Sequence, residues 1–222
     1  MQYQWNFDWL ANYMPVFVNG VAITIELILV GAVLGVCLGI VCAWVRALGP
    51  VWLKPFVAAY VELIRNTPFL IQLFFIFFGL PSLGMKLTAL QAANIAMVVN
   101  LGAYSCEIIR AGIQATPRGQ FEAGASLAMT PLQTFRHVVL VPALQRIWPA
   151  LASQIVIVML GSSVVSQIAV EDLTFASNFV QSRNFRAFET YLVATLTYLA
   201  LAIALRKVLD GVGWVIFPRR KV

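Results

Sequence analysis

The chain has 222 residues, of which 61% are hydrophobic and 11% are charged, and its formal net charge is +6. Soluble domains carry about 25% charged residues, so this composition predicts an integral membrane protein and excludes a large soluble catalytic domain. Because spans of about 20 residues would use most of the length, we predict a single all-α transmembrane domain over residues 1–222. The positive charge does not require nucleic acid as a partner, since cytoplasmic loops of membrane proteins also collect Lys and Arg.

The first two predicted elements lie close together. Residues 5–18 mix aromatic side chains with Asp8 and Asn12, which is typical of a helix in the membrane interface. The next stretch, 21–45, carries Glu26 as its one charge and is long enough to be the first span. Its glycines recur every four residues, at Gly31, Gly35 and Gly39. They share a helical face where a second helix could approach, although glycines merely tolerated in a membrane helix would show the same pattern.

A second span is predicted over residues 56–80. It should break near Thr67, because the ring of Pro68 disfavours helical geometry in the residue before it. Glu62 and Arg65 lie three residues apart on one helical face. They fit either a structural ion pair at the membrane rim or a lining of a transport path.

Three more spans follow, and a polar segment separates the first two of them. The spans are predicted over 88–106, 147–170 and 190–205. The polar segment, residues 107–146, is too charged for hydrocarbon, yet its apolar residues recur with helical spacing. Its central part, residues 116–142, is called the coupling loop. Thr130 is predicted to cap a second short helix with Pro131 at its first position, and Pro142 to end that helix. The segment therefore predicts a helix–turn–helix outside the membrane.

The basic residues predict the orientation of the five spans. With the N-terminus outside, only Lys86, Arg183 and Arg186 fall in outer segments, which leaves twelve of the fifteen Lys and Arg residues on the inside. Lys and Arg collect in cytoplasmic segments. We therefore predict an N-terminus outside, a cytoplasmic C-terminus and a cytoplasmic coupling loop.

Three stretches carry a family resemblance. Residues 104–144, which begin "YSCEIIRAGIQATPRGQFEAGASLAMT", resemble the coupling region of ABC importer permeases of the polar amino-acid type, those for histidine, glutamate, glutamine or arginine. The stretches "ELIRNTPFLIQLFF", 62–75, and "NFDWLANYMPVFVNGVAITIEL", 6–27, are similar to the same family in the same order. The resemblance covers most of the chain. It implies the five-helix transmembrane domain of a type I ABC importer in a bacterial inner membrane.

The family's coupling motif is present in an altered form. Its pattern is EAA, a glycine four residues after the final Ala, and then an apolar residue and Leu-Pro. The residues that carry it here are Glu122, Ala123, Gly124, Ala128 and Pro142. Gly124 replaces an Ala and Ala128 replaces the glycine, and their spacing of four predicts one narrow face for a partner. The resemblance implies that this helix docks in a cleft of an ATP-binding subunit, with Glu122 as the polar anchor.

The resemblance also implies partners. These are a pair of ATP-binding subunits, a second permease chain that is identical or related, an extracytoplasmic amino-acid-binding protein and membrane lipid. No "GxxxxGK" followed by Ser or Thr occurs, so ATP and its Mg²⁺ are predicted to belong to the partner. We find no Ser-His-Asp set and no metal-ligand spacing, so this chain is predicted to be no enzyme and to hold no cofactor or metal.

Polar residues at membrane depth are candidates for a substrate path. Such groups are costly in lipid and should face other helices or a cavity. Helix–helix hydrogen bonds explain any single one of them better, but around a dimer axis they could form a polar chamber for an α-amino and an α-carboxyl group. Glu107 fits either a substrate ammonium or an ion pair with Arg110. The candidates are Gln72, Asn100, Tyr104, Glu107, Gln154, Ser162, Ser163 and Ser166.

An alternative function is a self-contained ion-coupled secondary transporter or channel. Glu26 is its best support, because an acid inside a span is costly to keep. The missing inverted repeat and the lack of an array of buried acids count against it. A membrane-embedded enzyme acting on lipid is disfavoured because no catalytic constellation is recognisable.

Overall fold

A computed structural model describes residues 4–217, and every regular element in that range is a helix. Four segments are long and apolar enough to cross a membrane: Trp9–Leu48, Ala89–Gln114, Pro131–Ile168 and Ala187–Ile216. A fifth crossing is made if the bent pair Lys54–Arg65 and Phe69–Ser82 counts as one span. The predicted all-α membrane fold is confirmed, with the segments in the predicted order.

Helix α1, Trp9–Leu48, runs for 40 residues, or roughly 60 Å. The helix predicted over 5–18 is therefore not a separate element, since it continues into the first span despite Pro15. Gly20 lies within α1 and does not interrupt it. Its lack of a side chain allows close packing, since a Cβ added there would lie 2.9 Å from the carbonyl oxygen of Asp172. The position of the aromatic N-terminal part at the membrane interface stays a prediction.

The second span is a broken helix. It consists of α2, Lys54–Arg65, α3, Phe69–Phe74, a π turn, Phe75–Gly79, and a short α4, Leu80–Ser82. The two halves are bent by 113°. Pro68 at the break has extended backbone, with φ −63° and ψ 140°. The predicted break at Thr67 is confirmed.

Helix α5, Ala89–Gln114, packs on the glycine face of α1. A Cβ added at Gly31 would lie 3.4 Å from the Cβ of Met97. At Gly35 the distance to the Cβ of Leu101 would be 2.9 Å, and at Gly39 the distance to the Cβ of Ser105 would be 2.4 Å. Contact positions rise together along both helices, so α1 and α5 run parallel. The prediction that these glycines admit a second helix is confirmed, and we call their face the α1 seam.

The coupling loop contains α6, Arg118–Ser126, and α7, Pro131–Thr134. Thr130 caps α7 as predicted, its hydroxyl oxygen accepting a hydrogen bond from the Gln133 N–H. The prediction that Pro142 ends this helix is wrong, because a π turn, Phe135–Val139, leads directly into α8, Leu140–Gly161. Pro142 lies in the first turn of α8. Since the π turn already departs from α-helical hydrogen bonding, the N–H that proline lacks does not stop the helix.

The last part of the chain holds one helix that no sequence pattern predicted. α8 continues as a 3₁₀ segment, Ser162–Ile168, and then α9, Leu173–Asn184, and α10, Ala187–Ile216, follow. The available signal for α9 was Asp172, whose carboxylate accepts a hydrogen bond of 2.9 Å from the Phe175 N–H as an N-cap. α10 extends beyond both ends of the predicted span 190–205. The indole N–H of Trp148 donates to the Leu209 carbonyl at 3.0 Å and ties α8 to α10.

Candidate functional site

A groove of about 450 Å³ opens beside the break in the second span. Three residues predicted for the substrate path line it together: Asn100 and Tyr104 from α5, and Gln154 from α8. Asn100 and Tyr104 are four residues apart and therefore lie on one face of α5. The remaining lining residues are Thr67, Pro68, Phe69, Ile157, Val158 and Gly161. The described lining thus offers amide, hydroxyl and phenol groups among apolar ones, and no ionised side chain.

Gln72 does not line this groove but holds the broken helix beside it. Its side-chain NH₂ donates to the carbonyls of Ile64 and Thr67 at 2.7 and 2.9 Å, and lies 2.9 Å from the Thr67 hydroxyl. Its amide oxygen accepts from the Asn100 NH₂ at 2.9 Å. Both amides are buried. Since the last carbonyls of α2 lack intrahelical partners, Gln72 satisfies them and fixes the break against α5.

The serines predicted for the substrate path bond to their own helix instead. The hydroxyls of Ser162, Ser163 and Ser166 donate to the carbonyls of Met159, Leu160 and Ser163 at 2.6, 2.9 and 3.0 Å. Gly161 is the residue of this region that reaches the groove. Within residues 4–217, the structure does not bring the three serines into the groove with Asn100.

Glu107 lies one helical turn beyond Tyr104 and gathers arginines from three helices. Arg110 of α5 lies 2.7 Å from one carboxylate oxygen, and Arg46 of α1 pairs with the other. Arg65, the last residue of α2, lies 3.8 Å from Glu107 rather than beside Glu62. The ion pair between Glu107 and Arg110 that the sequence allowed is present. We call these four residues the Arg–Glu cluster, and its excess of positive charge makes it a poor site for a substrate ammonium.

The coupling loop presents a different surface from the predicted one. Glu122 and Ala123 are exposed on α6. Gly124 faces inward, where an added Cβ would lie 2.6 Å from Cγ2 of Thr134. Ala128 lies in the turn after α6, with φ 55°. The prediction that Gly124 and Ala128 form one docking face is therefore wrong, because one packs inside the loop and the other shapes the turn.

The turn after α6 is a complete Schellman motif. The Ala128 N–H donates to the Ala125 carbonyl at 2.9 Å, and the Met129 N–H donates to the Gly124 carbonyl at 3.1 Å. This pattern requires a left-handed residue at position 128, which glycine adopts most easily. The geometry gives the physical reason for the glycine that the family motif has at this position.

Apolar side chains of the coupling loop form part of its exposed surface, which sequence reasoning missed. Leu127 and Leu132 expose 74% and 56% of their surface. Leu127 is the C-cap of α6, and its side chain is exposed. Because exposed apolar patches on a protein surface mark contact sites, these leucines are candidates for a contact surface.

The acid that supported a secondary transporter stands apart from other acids. Glu26 is exposed on the outer side of α1. Among residues 4–217, no group of three or more His, Cys, Asp or Glu side chains could hold a metal ion. The described part of the chain therefore offers no acidic cluster for a coupling ion around Glu26.

The fold and the groove define the transmembrane domain of a type I ABC importer, with a broken span and a helical loop that joins two spans outside the membrane. The family model described as "Binding-protein-dependent transport system inner membrane component" matches residues 35–219. The chain belongs to this family and is a multi-pass inner-membrane subunit, which confirms the predicted resemblance.

Two relatives match nearly the whole chain. The glutamine transport system permease protein GlnP of Escherichia coli (strain K12) is 31% identical over 212 residues, 94% of this chain and 95% of the relative. The probable glutamine ABC transporter permease protein GlnM of Bacillus subtilis (strain 168) is 34% identical over 200 residues, 90% of each chain.

Solved structures match as well. An amino acid ABC transporter solved with histidines superposes with a TM-score of 0.83 at 34% identity, covering 95% of this chain and 99% of that one. The methionine ABC transporter MetNI in an inward-facing conformation gives a TM-score of 0.78 at 20% identity, over 95% and 99% of the two chains, and supports the fold alone.

Proposed function

We propose that this chain is the permease subunit of an ABC transporter that imports a polar amino acid. The observation that carries the proposal is the uncharged polar groove of Asn100, Tyr104 and Gln154 in a fold whose relatives are named for glutamine and other amino acids. An amino-acid zwitterion needs hydrogen-bond partners along its path, and a permease needs them to be weak enough for release. Amide and phenol groups meet both requirements.

The chain lies in the membrane with its N-terminus outside and its C-terminus in the cytoplasm. The uneven distribution of Lys and Arg supports this orientation. It puts α9 at the outer face and the coupling loop at the cytoplasmic face. The Arg–Glu cluster then lies between the groove and the cytoplasm.

Two ATP-binding subunits dock on the cytoplasmic side and supply the energy, so this chain hydrolyses no ATP and needs no cofactor of its own. Glu122, Ala123, Leu127 and Leu132 form the contact surface, since they are among the exposed acid and apolar groups of the loop. The helical path from α7 through the π turn into α8 is continuous. A push on the coupling loop therefore reaches Gln154, two turns into the membrane part of α8, without a flexible joint.

A second permease chain, identical or homologous, closes the open side of the groove, and an extracytoplasmic binding protein delivers the amino acid to it. Exposed apolar faces of α1, α3 and α10 lie against that chain or against lipid, because they have no cover within residues 4–217. The selecting step belongs mainly to the binding protein.

Reconstitution tests the proposal. The permease, its ATP-binding subunit and its binding protein are placed in proteoliposomes, and uptake of radiolabelled L-glutamine and other polar amino acids is measured. We expect uptake that stops on ATP depletion and is indifferent to a proton uncoupler when ATP is held constant. Uptake that follows an ion gradient and needs no ATP-binding subunit would establish the secondary-transporter alternative instead.

A further inference from the structure

Arg65 is the most weakly held member of the Arg–Glu cluster. Arg110 donates to Glu107 through Nε and Nη2, the shortest contact being 2.7 Å, and Arg46 binds the other carboxylate oxygen. Arg65 lies 3.8 Å away, beyond hydrogen-bond range. Its side chain is 43% exposed, against 21% for Arg46 and 28% for Arg110. Both oxygens of Glu107 are thus already bonded, and the Arg65 donors are left for another acceptor.

The same guanidinium lies beside the groove, over the ring of one of its lining residues. Its central carbon is 5.6 Å from the centroid of the Tyr104 ring. Tyr104 lines the groove, one turn along α5 from Asn100. A cation over an aromatic face is attracted to it, and the ring restricts where the guanidinium can turn. Tyr104 therefore positions Arg65 where the groove leads toward the coupling-loop end of the molecule.

Arg65 is also joined to the break in the second span. It is the final residue of α2, and the break with Thr67 and Pro68 forms part of the groove wall. Arg46 and Arg110, by contrast, belong to the long unbroken helices α1 and α5. A change in the bend moves Arg65 relative to Glu107 while the two tighter pairs stay together.

We propose that Arg65 is a carboxylate-binding residue on the exit side of the groove, which accepts the carboxylate of the transported amino acid. The inference rests on the proposed function. Arg46 and Arg110 neutralise Glu107, so an incoming carboxylate meets a net positive site and not a bare acid. The long contact between Arg65 and Glu107 is exchanged for a direct, charge-assisted hydrogen bond to the substrate. A carboxylate held by the Arg65 side chain alone is bound weakly enough to be released.

The experiment measures binding without the binding protein, which would impose its own selection. The permease with its ATP-binding subunits is placed in nanodiscs, and dissociation constants of L-glutamine and L-glutamine α-amide are measured by saturation-transfer difference NMR. The variants are Arg65→Gln, Arg65→Lys and, as a matched control, Arg183→Gln. Arg183 also lies over an aromatic ring, 4.1 Å from the centroid of Phe179, but far along the chain on α9.

We expect Arg65→Gln to weaken L-glutamine binding about 10-fold, the loss typical of a charge-assisted hydrogen bond, and to change the α-amide less than about 2-fold. Arg65→Lys should retain an intermediate preference for the carboxylate, and Arg183→Gln should match the wild type for both probes. Equal weakening of both probes by Arg65→Gln, or an unchanged preference in both Arg65 variants, would overturn the inference.

The outcomes also separate this inference from the proposed function. ATP-driven uptake by a wild type whose carboxylate preference is insensitive to Arg65 removes the inference and leaves the function. Arg65-dependent binding in a complex that shows no ATP-driven uptake removes the function and leaves carboxylate binding.

Discussion

The α1 seam and the coupling loop both use small residues, but for different purposes. In the seam, Gly39 lets two helix backbones approach so closely that an added Cβ would lie 2.4 Å from the Cβ of Ser105. In the coupling loop, Gly124 fits the side chain of Thr134, and Ala128 turns the chain with a left-handed backbone. The seam glycines are buried against α5 of the same chain. The coupling loop leaves Glu122 and Leu127 exposed.

This difference separates folding from partner binding. Close packing in a membrane protein stabilises through van der Waals contact, so the seam should control the stability of the isolated chain. The exposed surface of the coupling loop gains little from the chain's own contacts. Its substitutions should therefore change assembly with the ATP-binding subunit and leave the fold intact.

The largest expected effect is the loss of that assembly in Glu122→Arg. On the proposed docking surface, reversing the charge of Glu122 would leave an unpaired charge in the interface. We expect co-purification with the ATP-binding subunit to fall at least about 100-fold, equivalent to about 2.8 kcal/mol, with an unchanged thermal midpoint of the isolated permease. Glu171→Arg, an exposed acid beside α9, is the matched control. Equal loss in both variants would contradict a local docking surface.

The next effect concerns the seam and is one of stability. Gly39→Ala forces the helices apart and should destabilise the chain by about 1–3 kcal/mol, as overpacking of a close interface does. Gly31→Ala is the control, because its added Cβ would lie 3.4 Å from the Cβ of Met97, which is an ordinary van der Waals contact. Thermal unfolding in detergent, followed by intrinsic fluorescence, measures both variants. The idea of a graded seam fails if Gly31→Ala is as harmful as Gly39→Ala.

A smaller gain is expected in the coupling loop from Ala128→Gly. A left-handed conformation costs a residue with a Cβ roughly 1–2 kcal/mol, and glycine loses roughly 0.5–1 kcal/mol in added unfolded-state freedom. The net change should be a stabilisation of about 0.5–1 kcal/mol, measured as protection of α6 in hydrogen exchange. Ala125→Gly, inside α6, should do the opposite. Destabilisation by both variants would refute the Schellman geometry.

The smallest expected effect is a pH dependence of stability at Asp172, the N-cap of α9. Burial raises the pKa of the Asp172 carboxyl, while hydrogen bonds from Phe175, Thr174 and Tyr198 partly oppose this. The folded state therefore holds the proton more strongly, and this stabilisation, complete below the ordinary pKa of about 3.9, is lost as pH rises through the folded value.

Asp172→Asn keeps an N-cap that cannot ionise. The thermal midpoint of this variant minus that of the wild type should increase as the pH rises above the ordinary carboxyl pKa of about 3.9, because only the wild type loses a proton. A difference that stays constant above this pH would show that the ionisation of Asp172 does not affect folding.

Several elements were predictable because their signals are local. The apolar runs give the spans, Pro68 gives the break beside Thr67, and the pair of Thr130 with Pro131 gives the start of α7. α9 was missed because it is short and polar, and its one cue was the Asp172 cap. Pro142 was misread because a proline near a helix start does not reveal that a π turn precedes it.

The site followed the same division. Asn100 and Tyr104 share a face of one helix, so their common exposure to the groove follows from helical spacing. Gln154 joins them through the packing of α8 on α5, which no spacing shows. Gly124 was placed on a docking face because its spacing from Ala128 assumed an unbroken helix, and the turn at Leu127 invalidates that assumption.

By itself, the sequence determined that this protein lies in a membrane, its helical class, the order of its spans and its family. It could do so because hydrophobicity, proline and capping act within a few residues. Only the tertiary structure decided that Arg46 pairs with Glu107, that Gln72 holds the break against Asn100, and that Arg65 lies over Tyr104 without a hydrogen bond to Glu107. Those contacts join residues far apart in the chain. Their geometry depends on how the helices pack, and the spacing of residues along one helix carries no information about it.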